Sequence, residues 1–102
     1  MLDINNNEWK TPENMTIKSI PSIEKTALKE RKNLDKGVWI INCGQTKNID
    51  SAGLAWLVNN ISFANKKNII LQISNLILPN AISLSKAYGI IDILKKHLED
   101  QS

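Results

Sequence analysis

The sequence predicts a single α/β domain, a sandwich in which neighbouring strands run parallel. Short β-prone apolar runs alternate with longer stretches of helical periodicity, in the order strand, helix, strand, helix, strand, helix, helix. The chain has 102 residues, enough for one modest core and too few for two. Hydrophobic residues make up 42% and charged residues 23%, average values for a folded globular domain.

Residues 1–14 are polar and rich in asparagine, with Trp9 the one large anchor, and predict a loose arm that can contribute an edge strand. The folded domain is expected to occupy residues 15–102. Met15, Ile17 and Ile20 alternate with Thr16, Lys18 and Ser19, the pattern of a half-buried strand, which Pro21 should end. Ser22 is then the expected N-cap of a helix running to about Leu34. Ile23, Ala27, Leu28, Leu34 and the stem of Arg31 fall on its inner side, and Glu24, Lys25, Lys29, Glu30 and Lys32 face water. Gly37 breaks that helix. The run from Val38 to Asn42 has the continuous apolar character of a central strand covered on both faces, and Ile69 to Ile73 predicts a second buried strand.

Between those strands, Asp50 or Ser51 can cap a helix extending to about Asn65. After Pro79 a helix over about Asn80 to Tyr88 is closed by Gly89 in the C′ position. A short helix over Asp92 to about Glu99 follows, with fraying expected from Asp100 to Ser102.

Composition excludes several functions. Thirteen Lys and Arg face ten Asp and Glu, a net charge of +3, and acids interrupt most of the basic residues, which weakens a nucleic-acid reading. Four scattered glycines form neither a phosphate loop nor a dinucleotide fingerprint. With Cys43 and His97 as the lone cysteine and histidine there is no disulfide and no zinc constellation, so no metal or cofactor is expected. Cys43, after a buried strand, is read as a small apolar filler, and His97, beside Lys95 and Lys96, as a surface side chain. No acid/base pair stands out, which predicts a non-enzymatic module. The first ten residues lack the basic and apolar regions of a signal peptide, and no run approaches the roughly 20 apolar residues of a membrane span. A cytoplasmic protein that meets the membrane only through a partner is expected.

The informative segment is Ile49-Asp50-Ser51-Ala52-Gly53-Leu54. A hydroxyl at a helix start lies beside free backbone N–H groups and the positive end of the helix dipole, where a phosphate could sit. The plain alternative is that Asp50 and Ser51 only cap the helix.

Asp50-Ser51-Ala52-Gly53-Leu54, preceded by the strand Val38–Asn42, resembles the signature of STAS domains, the fold of anti-sigma factor antagonists and sulfate-transporter tails. The likeness spans about Met15 to Leu94. Within that family the segments Asp50–Leu57, Ala64–Lys67 and Leu84–Gly89 are most similar to the MlaB subfamily, the small cytoplasmic STAS subunits of bacterial Mla phospholipid ABC transporters. The resemblance implies a STAS-like sandwich with an about four-stranded mixed sheet and about four helices. It further implies an accessory role, binding and stabilising or regulating the transporter ATPase in a system that maintains outer-membrane lipid asymmetry. The family's conserved hydroxyl falls on Ser51 and its preceding acid on Asp50, with Ala52 and Gly53 completing the motif as partner-binding or regulatory positions. The alternative that the family offers is an anti-sigma factor antagonist, switched when a kinase phosphorylates Ser51. Where the family strand usually ends in Asp-Leu-Ser, this chain has Asn42-Cys43-Gly44, and that missing carboxylate argues against kinase-driven switching.

A helical wheel adds an expectation of its own. At about 100° per residue, Leu54, Leu57, Val58, Ile61 and Ala64 form a stripe that must pack on the sheet. Trp56 and Phe63 gather on the opposite side with Asn60 and Lys67. A neighbouring loop or the arm could cover the two aromatics, but two large aromatics kept together on a wet face predict an exposed patch beside Ser51, with Trp56 and Phe63 as anchors of a protein interface.

Overall fold

The computed structural model describes residues 1–98. The fraying expected over Asp100 to Ser102 lies outside the described residues, and the last helix, expected to reach about Glu99, ends at Lys95. The described residues form a four-stranded mixed sheet with four helices and a small two-stranded ladder.

The asparagine-rich start contributes the edge strand expected of it, but also a second, interior strand, so it is built into the main sheet and is no loose arm. Strands β1 (Asp3–Asn5) and β2 (Glu8–Lys10) form an antiparallel hairpin, and β2 pairs parallel with β4 (Gly37–Asn42). Asn6 turns the hairpin at a φ of 55°, a left-handed conformation that asparagine tolerates. Asn7 fastens it to β4: its carbonyl accepts from Ile40 N–H, and its side-chain amide donates to Val38. Trp9 is fully buried, edge-on to Trp39 at 4.7 Å between ring centroids.

The strand expected over Met15–Ile20 shrinks to β3 (Asn14–Met15), which pairs parallel with β5 (Asn48–Ile49). Beyond Met15 the chain bends: Thr16 N–H donates to the Ser19 hydroxyl, and Ser19 N–H returns to the Thr16 carbonyl. Helix α1 (Ile20–Glu30) therefore begins ahead of Ser22, with Pro21 in its first turn, where the missing N–H costs no helical bond. A 3-10 turn follows over Arg31–Asn33. Ile23 and Ala27 of α1 are buried, whereas Leu28, expected inside, is 59% exposed.

Helix α2 (Ser51–Lys67) connects β4 and β5 to β6 (Ile69–Ser74), which pairs parallel with β4 over all six residues. The parallel strands advance in one direction, β2-β4-β6. Crossovers of the usual right hand then place α1 and α2 on one face of the sheet. That face carries Trp9, Trp39, Ile41, Leu71 and Ile73, all buried. On the opposite face no helix of the described residues covers Val38 (43% exposed) or Ile70 (61%), so neither β4 nor β6, which ends the strand order, is covered on both sides as their apolar runs suggested.

Helices α3 (Pro79–Ala87) and α4 (Ile91–Lys95) complete the order, with Gly89 at a φ of 70° between them. After α4, His97 and Leu98 lie along β6: the His97 carbonyl accepts from Ile73 N–H, and Leu98 bridges Ile73. His97 is half-buried, its Nδ1 3.1 Å from the Leu71 carbonyl, rather than a plain surface side chain. Cys43 is buried beside Thr11, and burial pushes its thiol up to about 11, which suits a filler better than a nucleophile.

Candidate functional site

The Asp50–Leu54 segment sits where β5 becomes α2, and Asp50, not Ser51, is the cap. Its Oδ1 accepts from Ala52 N–H at 3.0 Å and Gly53 N–H at 3.1 Å, and its Oδ2 accepts from Ile17 N–H at 2.9 Å. Asp50 N–H in turn donates to the Met15 carbonyl. One carboxylate thus closes the helix end and holds the bend after β3 against it. Desolvation alone would raise the Asp50 pKa, but the N–H bonds from Ile17, Gly53 and Ala52 outweigh it and hold the carboxyl below its usual range.

Gly53 is buried under that bend. A methyl group there would overlap the Met15 carbonyl oxygen and lie 2.7 Å from Ile49 Cγ1. Gly53 therefore admits the close crossing of the Met15 backbone over the helix start, and a buried glycine offers a partner nothing to touch. Ala52 is half-buried.

Ser51 is exposed at the first position of α2. The Asp50 carboxylate already takes two of the N–H groups that a phosphate would use and adds a negative charge beside them. The comfortable phosphate site expected from the sequence is thus filled by the chain itself.

Trp56 is not on the wet face. It is 3% exposed, and its indole Nε1–H donates to Glu24 Oε1 at 2.9 Å. The cover is α1, not a loop or the arm. Between the helices lies a polar network: Arg31 makes a bidentate pair with Glu24 at 2.6 Å and donates through Nε to Asn60 Oδ1 at 2.8 Å, while Asn60 Nδ2 donates to the Trp56 carbonyl. Phe63 is half-buried, edge-on to Trp39 at 6.2 Å, with the Arg31 guanidinium 5.9 Å from its ring centre. The wheel allowed α2 one buried side, and it has two, the sheet and α1. The matching signals were present: Glu24 and Arg31 share a phase two turns apart, as Trp56, Asn60 and Phe63 do on α2.

The Arg31 hydrogen bonds hold the Glu24 carboxyl below its ordinary 4.5, opposed by desolvation and assisted by the charge of Arg31 and the Trp56 bond. A depressed carboxylate stabilises the fold above its unfolded pKa, and that contribution fades as the pH falls through the folded value. Urea unfolding of wild type and Glu24→Gln should therefore differ at pH 7 and converge as the pH falls below about 4.5. A gap that is unchanged at pH 3 would rule out the ionised pair as its source. The glutamate side chain is 40% exposed, so solvent screening keeps the effect small.

Ahead of its exposed last turn (Asn65, Lys66 and Lys67), α2 leaves in water the narrow stripe of Ser51, Ala55, Asn59 and Ser62. Ala55 and Asn59 form a ridge between two grooves. One, of about 500 Å³, lies toward α1 and is lined by Ile20, Glu24, Trp56 and Phe63. The other, of about 270 Å³, lies toward the end of α3 and is lined by Ser51, Val58, Tyr88 and Ile90. Tyr88 is 61% exposed. The structure thus divides the predicted positions: Ala52, Trp56 and Phe63 line the groove toward α1, Ser51 lines the groove toward α3, Asp50 is tied to the bend at Ile17, and Gly53 is buried. Sequence reasoning missed Ala55, Asn59 and Tyr88.

Among the described residues no cluster of His, Cys, Asp and Glu could hold a metal ion, and no helix is long and apolar enough to cross a membrane. A scan against protein-family models and searches of curated proteins and of solved structures gave no match.

Proposed function

We propose that the chain is a non-catalytic, STAS-like protein-binding module, the accessory subunit of an Mla-type phospholipid ABC transporter, and that it binds the transporter's ATPase on the cytoplasmic side. The observation that carries the reading is the Ser51–Ala55–Asn59 ridge: exposed side chains, flanked by two partly apolar grooves, that start within the Asp-Ser-Ala-Gly-Leu motif. Small side chains let a partner approach the helix backbone closely, and Tyr88 and the rim of Phe63 supply aromatic contact area at the edges. The role of Ser51 in this reading is contact. The second reading, phosphorylation control of an anti-sigma type, is opposed by Asn42-Cys43-Gly44, which lacks the carboxylate that the family's strand usually ends with.

Co-purification of the tagged chain from detergent-solubilised membranes, with identification of what accompanies it, tests the partner. The site is tested by Ser51 variants. Ser51→Ala should change folding stability by no more than about 0.5 kcal/mol, because Asp50 and not Ser51 holds the cap. Ser51→Glu should reduce ATPase binding about tenfold or more, because it puts a longer charged chain against the contact. Undiminished ATPase binding by a folded Ser51→Glu protein would remove this ridge from the interface.

A further inference from the structure

The positive charge of the chain is concentrated at one end of the α1–α2 pair. The stretch over residues 25–36 and the last turn of α2 together carry seven cations against two carboxylates, Glu30 and Asp35, an excess larger than the +3 of the whole chain. Lysines in the last turn of a helix answer its dipole, which accounts for Lys29, Lys66 and Lys67 as charges. It does not account for the apolar surface between them.

A groove of about 340 Å³ opens between the ends of the two helices. Leu28, Leu34 and Phe63 form its floor, Arg31, Lys32 and Lys67 form its rim, and among the described residues no carboxylate lines it. Leu28 is 59% exposed and Phe63 half-buried, so the floor meets solvent in the isolated domain. The guanidinium of Arg31 is already engaged by Glu24, which leaves Lys32 and Lys67 as the available donors.

We propose that this groove docks an acidic segment of a partner protein, which lays one large apolar side chain on the Leu28–Leu34–Phe63 floor and sets carboxylates against Lys32 and Lys67. The pairing of an apolar recess with a one-signed rim selects this occupant. A nucleic-acid backbone answers the cations and leaves the floor unused. A bilayer surface answers charge over a flat area, whereas this floor is recessed between two helix ends. Exposed lysines around it (Lys25, Lys29, Lys36 and Lys66) extend the positive field and speed the encounter with an acidic chain. The site lies toward the far end of α2 from Ser51 and does not depend on the reading given to Ser51.

The test uses a fluorescein-labelled synthetic peptide with a central phenylalanine among glutamates and aspartates, and a second peptide in which serine replaces the phenylalanine. Anisotropy titration of the full chain should show the phenylalanine peptide binding about fivefold or more tightly than the serine peptide. Leu28→Gln should erase that difference, and Lys32→Glu combined with Lys67→Glu should weaken both peptides about tenfold or more. All three side chains are exposed or at the rim, so circular dichroism should show each variant folded. Equal affinity for the two peptides, or a charge-reversed variant that binds as wild type does, would overturn the proposal. So would tighter binding of phosphatidylglycerol vesicles or of a short DNA duplex than of the phenylalanine peptide.

Discussion

Trp56→Ala is expected to destabilise the domain by about 3–5 kcal/mol, at least as much as Leu57→Ala at about 2–5 kcal/mol. Both side chains are buried, Trp56 at 3% exposure between α2 and α1 and Leu57 at 0% against the sheet. The tryptophan loss has two parts. The cavity removes the packing between the helices, and the indole N–H leaves Glu24, which then depends on Arg31 alone. Trp56→Phe separates them: it keeps most of the ring and loses the hydrogen bond, so it should fall between wild type and alanine, with about 1 kcal/mol assigned to the bond. Against a total stability of roughly 5–15 kcal/mol for such a domain, Trp56→Ala leaves a marginal fold. Urea titrations monitored by circular dichroism measure all three. A Trp56→Ala protein within about 1 kcal/mol of wild type, beside a Leu57→Ala protein that loses its full share, would show that α1 does not hold the indole in solution.

Gly53→Ala should be the most damaging single methyl group in the chain. Overpacking costs typically about 1–3 kcal/mol and more where the obstacle is backbone. Here the obstacle is the Met15 carbonyl, which is fixed by the Asp50 N–H and by the β3–β5 pairing. Ile49 Cγ1 blocks retreat on the other side. The expected loss is about 3 kcal/mol, with Ala55→Ser, exposed on the same helix two residues on, as a control that should stay within about 0.5 kcal/mol. A Gly53→Ala protein as stable as that control would mean that the crossing at the helix start is looser than the structure has it. The glycine of the Asp-Ser-Ala-Gly-Leu segment thus has a packing reason for its identity, and Asp50 has a capping reason. Ser51 is the position of that segment whose side chain is left facing water.

That division bears on how a short motif is read. Residue type suggested a ligand at Asp50-Ser51 because helix starts carry free N–H groups. In the folded chain those of Ala52 and Gly53 go to the Asp50 side chain, and the Ile17 N–H from a distant bend joins them. Capping by Asp50 was legible in the sequence, but its third bond depends on a segment 33 residues away.

Local chemistry was enough to determine the order of strands and helices from β4 onward apart from the short β5, a cap at Asp50 or Ser51, the closure at Gly89 and the stripe of Leu54, Leu57, Ile61 and Ala64 that packs on the sheet. Each of these rests on residues within a few turns of one another, so periodicity and backbone preference decide them. Tertiary structure decided the rest. Apolar runs in β4 and β6 look alike whether one face or two are covered; strand order alone sends both crossover helices to one side and leaves Val38 and Ile70 in water. Three asparagines and one tryptophan near the N-terminus carry too weak a pattern to announce a hairpin, and pairing of Trp9 with Ile41 across β2 and β4 makes it one. A wheel of α2 counts phase but not neighbours, so Trp56 passed for a surface anchor until α1, through Glu24, and the turn after it, through Arg31, supplied the second wall.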